Sequence, residues 1–168
     1  MILKIMVKNN SNLKIQKSSR HSKITGDFAE HLILYWLSKY GFECAKVDHT
    51  GIDLIARNPI TDEIMGISVK SRSRNEGKEG QYLHIANENF SKIDSACIAF
   101  GCVPYFAIVI DEEATIKIFI LSKIKLLEYF PMALNSVGWK MTKSWIEKYN
   151  SDKQIIKINF NYNTNNWW

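Results

Sequence analysis

The chain has 168 residues, the length of one domain, and is long enough to bury a core without disulfide or metal cross-links. Its 46% hydrophobic and 23% charged residues are typical of a globular protein, and no run approaches the roughly eighteen apolar residues of a membrane span. Three cysteines without metal-ligand spacing are expected to be buried thiols in a reducing cytoplasm. We therefore expect a cytoplasmic protein with no membrane partner.

The net charge of +5 is unevenly distributed along the chain. Six basic residues and no acid precede Asp27, and four of the nine residues from Lys70 to Lys78 are basic. Clusters of this kind attract polyanions through counterion release and steer their encounter. Charge alone leaves two interpretations open, nucleic-acid binding and simple solubility.

The first regular element predicted is a helix. Residues 1–22 are polar and basic, which indicates an N-terminal arm. Thr25 is a suitable N-cap, and Gly41 is expected to end the helix. Apolar residues recur between them with the helical period and predict one buried stripe: Ala29, Leu32, Ile33, Trp36, Leu37 and Tyr40.

Three short strands are predicted next, at 43–47, 52–57 and 64–72. The turn signal Asn58-Pro59 predicts that the second and third form an antiparallel hairpin. A polar loop at 75–81 and a second helix at 89–100 follow. Further along we predict strands at 105–110, 116–121 and 154–160 and helices at 123–129 and 141–149.

The order of the predicted elements defines the fold class. The succession α-β-β-β-α-β indicates an α/β protein with a mixed β-sheet flanked by helices. No internal repeat or interdomain linker is visible, so 1–168 is predicted to be a single domain. Within it we distinguish the basic arm 1–22, a core at 24–121 and a C-terminal extension at 122–168.

The hairpin carries the residues suited to chemistry. Side chains alternate along a strand, so Ser68, Lys70, Arg72 and Arg74 share one face. Hairpin partners lie about 5 Å apart, which allows Asp53 and Lys70 to share a site. A carboxylate holding a metal ion beside a lysine suits phosphodiester hydrolysis. The alternative is a cross-strand ion pair on a solvated face.

Several short motifs occur in a recognisable order over residues 24–121: Thr25-Gly26-Asp27-Phe28-Ala29-Glu30, Gly51-Ile52-Asp53-Leu54-Ile55, Ser68-Val69-Lys70, and the helix and core strand within 89–110. With these motifs the sequence resembles the PD-(D/E)XK nucleases of the restriction-endonuclease-like fold. Archaeal Holliday-junction resolvases and small restriction and repair endonucleases share this layout. The resemblance covers about three-fifths of the chain.

The resemblance implies specific roles. Asp53 would bind Mg²⁺ or Mn²⁺, with Glu30 and the Val69 carbonyl as further ligands, and Lys70 would be the catalytic lysine. Glu30 lies at the edge of the helical apolar stripe, which allows it to face the site. The alternative for Glu30 is a solvated glutamate favoured by the helix dipole.

Ser68 departs from the family pattern, because glutamate, aspartate or sometimes glutamine occupies this position in the catalytic set. A neutral hydroxyl is a poor ligand for a hard divalent cation. Three outcomes stay open. Glu30 supplies the missing charge, another carboxylate such as Asp48 or Glu63 folds in, or metal binding is lost and a nucleic-acid-binding protein remains.

The leading hypothesis is a metal-dependent DNA endonuclease in which Arg72, Arg74 and Lys78 contact phosphate. The alternative for the arginines is a basic strand edge that discourages association between sheets. The rival functions are a catalytically inactive protein that binds nucleic acid and a protein-interaction module built on the tryptophan-rich C-terminus. DNA and RNA are not distinguished, and a homodimer is implied only by family analogy.

Overall fold

The structure is a computed structural model that describes residues 16–74 and 80–163. Twelve elements follow one another in the described chain: α1 (His21–Lys39), β1 (Glu43–His49), β2 (Ile52–Arg57), β3 (Ile64–Arg74), β4 (Tyr82–Ala86), α2 (Asn87–Phe100), β5 (Val103–Glu112), β6 (Thr115–Ser122), α3 (Lys123–Tyr129), β7 (Ser136–Lys140), α4 (Lys143–Ser151) and β8 (Ile156–Asn161).

Six strands form the main sheet in the order β1-β2-β3-β5-β6-β8. β3 and β5 run parallel, and every other neighbouring pair in this sheet is antiparallel, including the predicted hairpin of β2 and β3. β4 and β7 pair with each other in a separate two-stranded sheet. The prediction of a mixed sheet flanked by helices is therefore confirmed.

The main sheet is covered on both faces. On one face Ala29, Ile33 and Leu37 of α1 are fully buried in a cluster that includes Leu54 and Ile67. The other face lies under α2, α3, α4 and the two-stranded sheet. β5 contributes buried residues to both clusters, which explains why its sequence is a continuous apolar run.

α1 begins earlier than predicted. It starts at His21, so Thr25 is not its N-cap but lies in the second turn, where its Oγ1 donates to the His21 carbonyl at 2.7 Å. A threonine hydroxyl that bonds the carbonyl four residues back is satisfied inside a helix, which removes its preference for the cap. The helix thus takes the last two residues of the predicted arm 1–22, and residues 1–15 of that arm lie outside the described part.

Two strands, β4 and β7, were not predicted. Each has five residues and buries only two alternating side chains, Leu83 and Ile85 in β4 and Val137 and Trp139 in β7. So short a pattern does not identify a strand by itself, and each of these strands pairs only with the other. In the two described stretches, no helix is long and apolar enough to cross a membrane.

The turn between β1 and β2 rests against the backbone of α2. Gly51 has φ +105°, and a Cβ there would collide with the Lys92 carbonyl oxygen and lie 2.9 Å from the Ile93 nitrogen. Only glycine combines this backbone conformation with so close an approach. Gly51 therefore positions the start of β2, where Asp53 lies.

We predict that Gly51→Ala lowers the free energy of unfolding by about 2 kcal/mol or more, because it adds strain and a backbone clash. Gly26→Ala is the matched control, since Gly26 is helical and nothing lies within 4 Å of the added methyl group. That control is expected to gain about 0.5–1 kcal/mol. Urea denaturation measures both, and a Gly51→Ala protein as stable as wild type would contradict the packing described here.

Candidate functional site

Asp53 is held by a backbone hydrogen bond at the point where two strands separate. β2 pairs with β3 from Leu54 to Arg57, and Asp53 lies one residue before this paired stretch. Its Oδ2 accepts a hydrogen bond from the Val69 N–H at 2.6 Å. The carboxylate thus satisfies a backbone donor of β3 that β2 no longer reaches, which fixes its position.

Lys70 lies beside this carboxylate and is half-buried in β3. Burial lowers the pKa of its ammonium group, while attraction by Asp53 and Glu30 opposes this shift. Burial likewise raises the pKa of the Asp53 carboxyl, and the Val69 N–H and the Lys70 charge oppose it. The structure therefore brings together the three charged residues that the sequence singled out.

Glu30 of α1 completes the group and already has a partner. Lys46 of β1 places its Nζ 2.7 Å from Glu30 Oε2, and the Glu30 side chain is only 21% exposed. The hydrogen bond to Glu30 is the main reason why the pKa of Lys46 is raised, and the Asp53 charge adds to the effect. Two carboxylates and two ammonium groups consequently share one site.

Sequence reasoning missed Lys46. In the β1–β2 pair Lys46 lies opposite Leu54, on the face covered by α1. The register between the strands shifts between Lys46 and His49, so counting residues back from the turn at Gly51 does not find this pairing. The only signal was a lysine within a predicted strand, which is common on solvated sheet faces.

The other two carboxylates that the sequence offered are Glu63 and Asp48. Glu63 accepts a hydrogen bond from the Tyr105 hydroxyl at 2.7 Å and precedes Ser68 by five residues, about 16 Å along an extended chain. Asp48 is exposed on β1. Ser68 itself is 3% exposed. Within 16–74 and 80–163 no group of three or more acidic, histidine or cysteine side chains could hold a metal ion.

The residues expected to contact phosphate differ in their surroundings. Arg72 is exposed on β3. Arg74 is buried, and its Nη1 lies 3.3 Å from Glu112 Oε1 on β5 and donates to the Met141 carbonyl at 3.4 Å. The prediction that Arg74 contacts phosphate does not fit this internal ion pair. Lys78 lies outside the described residues.

Because the charges of Lys70 and Asp53 are partly buried, we expect that removing either charge does not destabilise the fold. The pKa of Lys70 is lowered, so its charge costs stability below the folded pKa, and this cost fades as pH rises through that value toward the usual 10.5. The pKa of Asp53 is raised, so its cost is complete above the folded value and absent in strong acid.

At pH 7 we expect Lys70→Met and Asp53→Asn to be at least as stable as wild type in urea denaturation. The Asp53→Asn amide oxygen can still accept from Val69 N–H. The advantage of Lys70→Met should shrink when the measurement is repeated at alkaline pH. A loss of more than about 1 kcal/mol in both variants at pH 7 would show instead that these charged groups stabilise the fold.

Comparison with known proteins gives likenesses of structure only. No protein-family model matches the chain, and no curated protein matches its sequence. Among solved structures, Hjc, a Holliday junction resolvase from Archaeoglobus fulgidus, superposes with a TM-score of 0.54 at 18% identity, covering 73% of this chain and 88% of that one.

A restriction endonuclease in complex with substrate DNA gives a TM-score of 0.43 at 10% identity, over 90% of this chain and 76% of that one. This second likeness is too low to carry an argument. The TM-score and coverage of the resolvase indicate a shared fold. The chain has the restriction-endonuclease-like fold.

Proposed function

We propose that this protein is a divalent-metal-dependent DNA endonuclease that hydrolyses phosphodiester bonds. The observation that carries the proposal is the convergence of Asp53, Glu30 and Lys70 at one site, with Asp53 fixed by the Val69 N–H. The Holliday junction resolvase of similar fold supports a DNA substrate.

The donor set fits a magnesium ion although Ser68 replaces a carboxylate. Mg²⁺ is commonly held by one or two carboxylates, several waters and substrate phosphate oxygens. Asp53 and Glu30 would supply the carboxylates and the Val69 carbonyl a further oxygen. A cation bound by these residues would neutralise phosphate charge and acidify a water molecule. Because Lys46 occupies Glu30, binding requires Glu30 to exchange this partner.

Lys70 has the properties of a group that assists the attack on phosphorus. Its ammonium offers three hydrogen-bond donors and is half-buried, so its field is less screened than that of a surface lysine. In this role it orients the attacking water and stabilises the negative charge that develops on the phosphate.

Arg72 is suited to holding the DNA. It follows Lys70 by two residues on β3 and therefore lies on the same face of the strand. In the part of the chain that the structure describes, its guanidinium forms no ion pair or hydrogen bond. A free guanidinium beside the site can bind a phosphate of the substrate backbone.

A second candidate is a catalytically inactive protein that binds nucleic acid. The contact that favours it is the ion pair of Lys46 with Glu30, since the ammonium already neutralises one of the two carboxylates available to a metal. Buried Ser68 adds no charge to the site. In this case Lys46 takes the place of the cation permanently.

We expect purified protein to nick supercoiled DNA with Mg²⁺ but not with chelator. Asp53→Asn and Lys70→Met should each lower the rate by at least about 100-fold, because each removes a group that acts on the developing phosphate charge. Asp62→Asn is the control, since Asp62 pairs with Arg57 on the surface. Gel analysis of relaxed and linear products gives the rates.

Undiminished nicking by either site variant would contradict the assignment. If wild type binds DNA in a salt-dependent way, is unaffected by chelator and never nicks, the second candidate is supported. Ser68→Glu then provides the decisive variant, because a restored carboxylate should create magnesium-dependent nicking on a fold that had lost it.

A further inference from the structure

A polar cleft of about 390 Å³ lies between the start of α1 and the end of β3. Six of its nine lining residues carry hydroxyl groups, and the other three are Lys17, His21 and Arg72. None of the nine is acidic. The nine lining side chains therefore offer hydrogen-bond donors and positive charge, with no carboxylate among them.

The walls of this cleft are tied together by hydrogen bonds. Lys17 Nζ donates to the Ser73 carbonyl at 2.8 Å, which joins the segment before α1 to β3. Thr25 Oγ1 donates to the His21 carbonyl, and Ser73 Oγ donates to Asp111 Oδ2 at 3.0 Å. The Lys17 contact links the two sides of the cleft, and the other two fix the Thr25 and Ser73 side chains, which lowers the ordering cost of binding.

Other hydrogen-bond donors in the cleft have no partner among the residues that the structure describes. Within the two described ranges, the hydroxyls of Ser18, Ser19, Ser22 and Ser71 and the guanidinium of Arg72 make no hydrogen bond to protein. Hydroxyl donors around a planar guanidinium fork match the oxygens of a phosphate group, for which arginine forms strong charge-assisted bonds. An apolar or cationic ligand would find no such complementarity.

The cleft is close to Asp53 and Lys70 along two separate elements. On β3, Ser71 follows Val69 by two residues, about 7 Å. On α1, Thr25 precedes Glu30 by five residues, about 7.5 Å. Along both elements, the distance between the cleft and the site is one that a single nucleotide of a strand can span.

We propose that this cleft binds a phosphate group of the nucleic-acid strand, one nucleotide away from the phosphate at Asp53 and Lys70. The proposal rests on the proposed function for the identity of the polymer and deepens it by naming a second subsite. The group bound is either an internal diester of the strand or the phosphate at its end.

The test measures DNA affinity in EDTA, by fluorescence anisotropy of a labelled duplex, so that no cleavage occurs. Ser22→Asp places a negative charge in the cleft, and Arg72→Gln removes the guanidinium. Each should raise the Kd about tenfold, since each removes or opposes a charge-assisted contact to phosphate. Circular dichroism confirms that both variants fold.

Matched controls make the same charge changes at the far end of α1. Ser38→Asp lies sixteen residues from Ser22, about 24 Å along the helix, and Lys39→Gln removes one positive charge in the last turn. Both controls should stay within about twofold of wild type. If the cleft variants weaken binding no more than their controls, the proposal is overturned.

A second arm distinguishes the source of the phosphate. Duplexes with and without a 5′-phosphate are compared on wild type and Ser22→Asp. If wild type binds the 5′-phosphorylated duplex more tightly and Ser22→Asp does not, the cleft binds the phosphate at a strand end. If wild type binds both duplexes equally and Ser22→Asp binds both more weakly, the cleft binds an internal diester. A protein that shows these losses but never nicks DNA contradicts only the proposed endonuclease activity.

Discussion

The hydrogen bond from the Val69 N–H to the Asp53 carboxylate is the interaction on which the site depends. It occurs where β2 stops pairing with β3, so a side chain takes over a backbone partner's role. This contact holds a half-buried carboxylate beside Lys70 although burial raises the pKa of Asp53. An apolar residue at position 53 would avoid that cost but would leave the Val69 N–H without this acceptor. A partly buried carboxylate with a shifted pKa and a charged neighbour is a candidate for chemistry.

The balance of charge around Asp53 explains how the site tolerates Ser68. Asp53 and Glu30 contribute two negative charges, and Lys46 and Lys70 contribute two positive ones. A third carboxylate at position 68 would be left without a counter-charge until a cation arrived. In the present arrangement these four charges cancel, and a metal ion bound as proposed would have to displace Lys46 from Glu30.

Much of the fold followed from local patterns, and the departures have identifiable causes. The apolar stripe of α1, the continuous run of β5 and the turn at Asn58-Pro59 each act over a few residues, so the sheet could be predicted. The alternation of side chains along a strand is also a local pattern, so the proximity of Asp53 and Lys70 could be predicted. Lys46 was missed because a register shift decides its position, and Arg74 was misjudged because β5 and the Met141 backbone enclose it. These are tertiary effects that periodicity does not encode.

A crystal structure of the protein grown with saturating Mn²⁺, with the ion located by its anomalous scattering, tests directly whether Asp53 and Glu30 bind a metal ion. We expect an ion bound by oxygens of both Asp53 and Glu30, with Lys46 withdrawn from Glu30 and the Asp53 contact to Val69 N–H kept. Density without an ion at these carboxylates, and with the Lys46–Glu30 pair intact, would contradict a metal-dependent site.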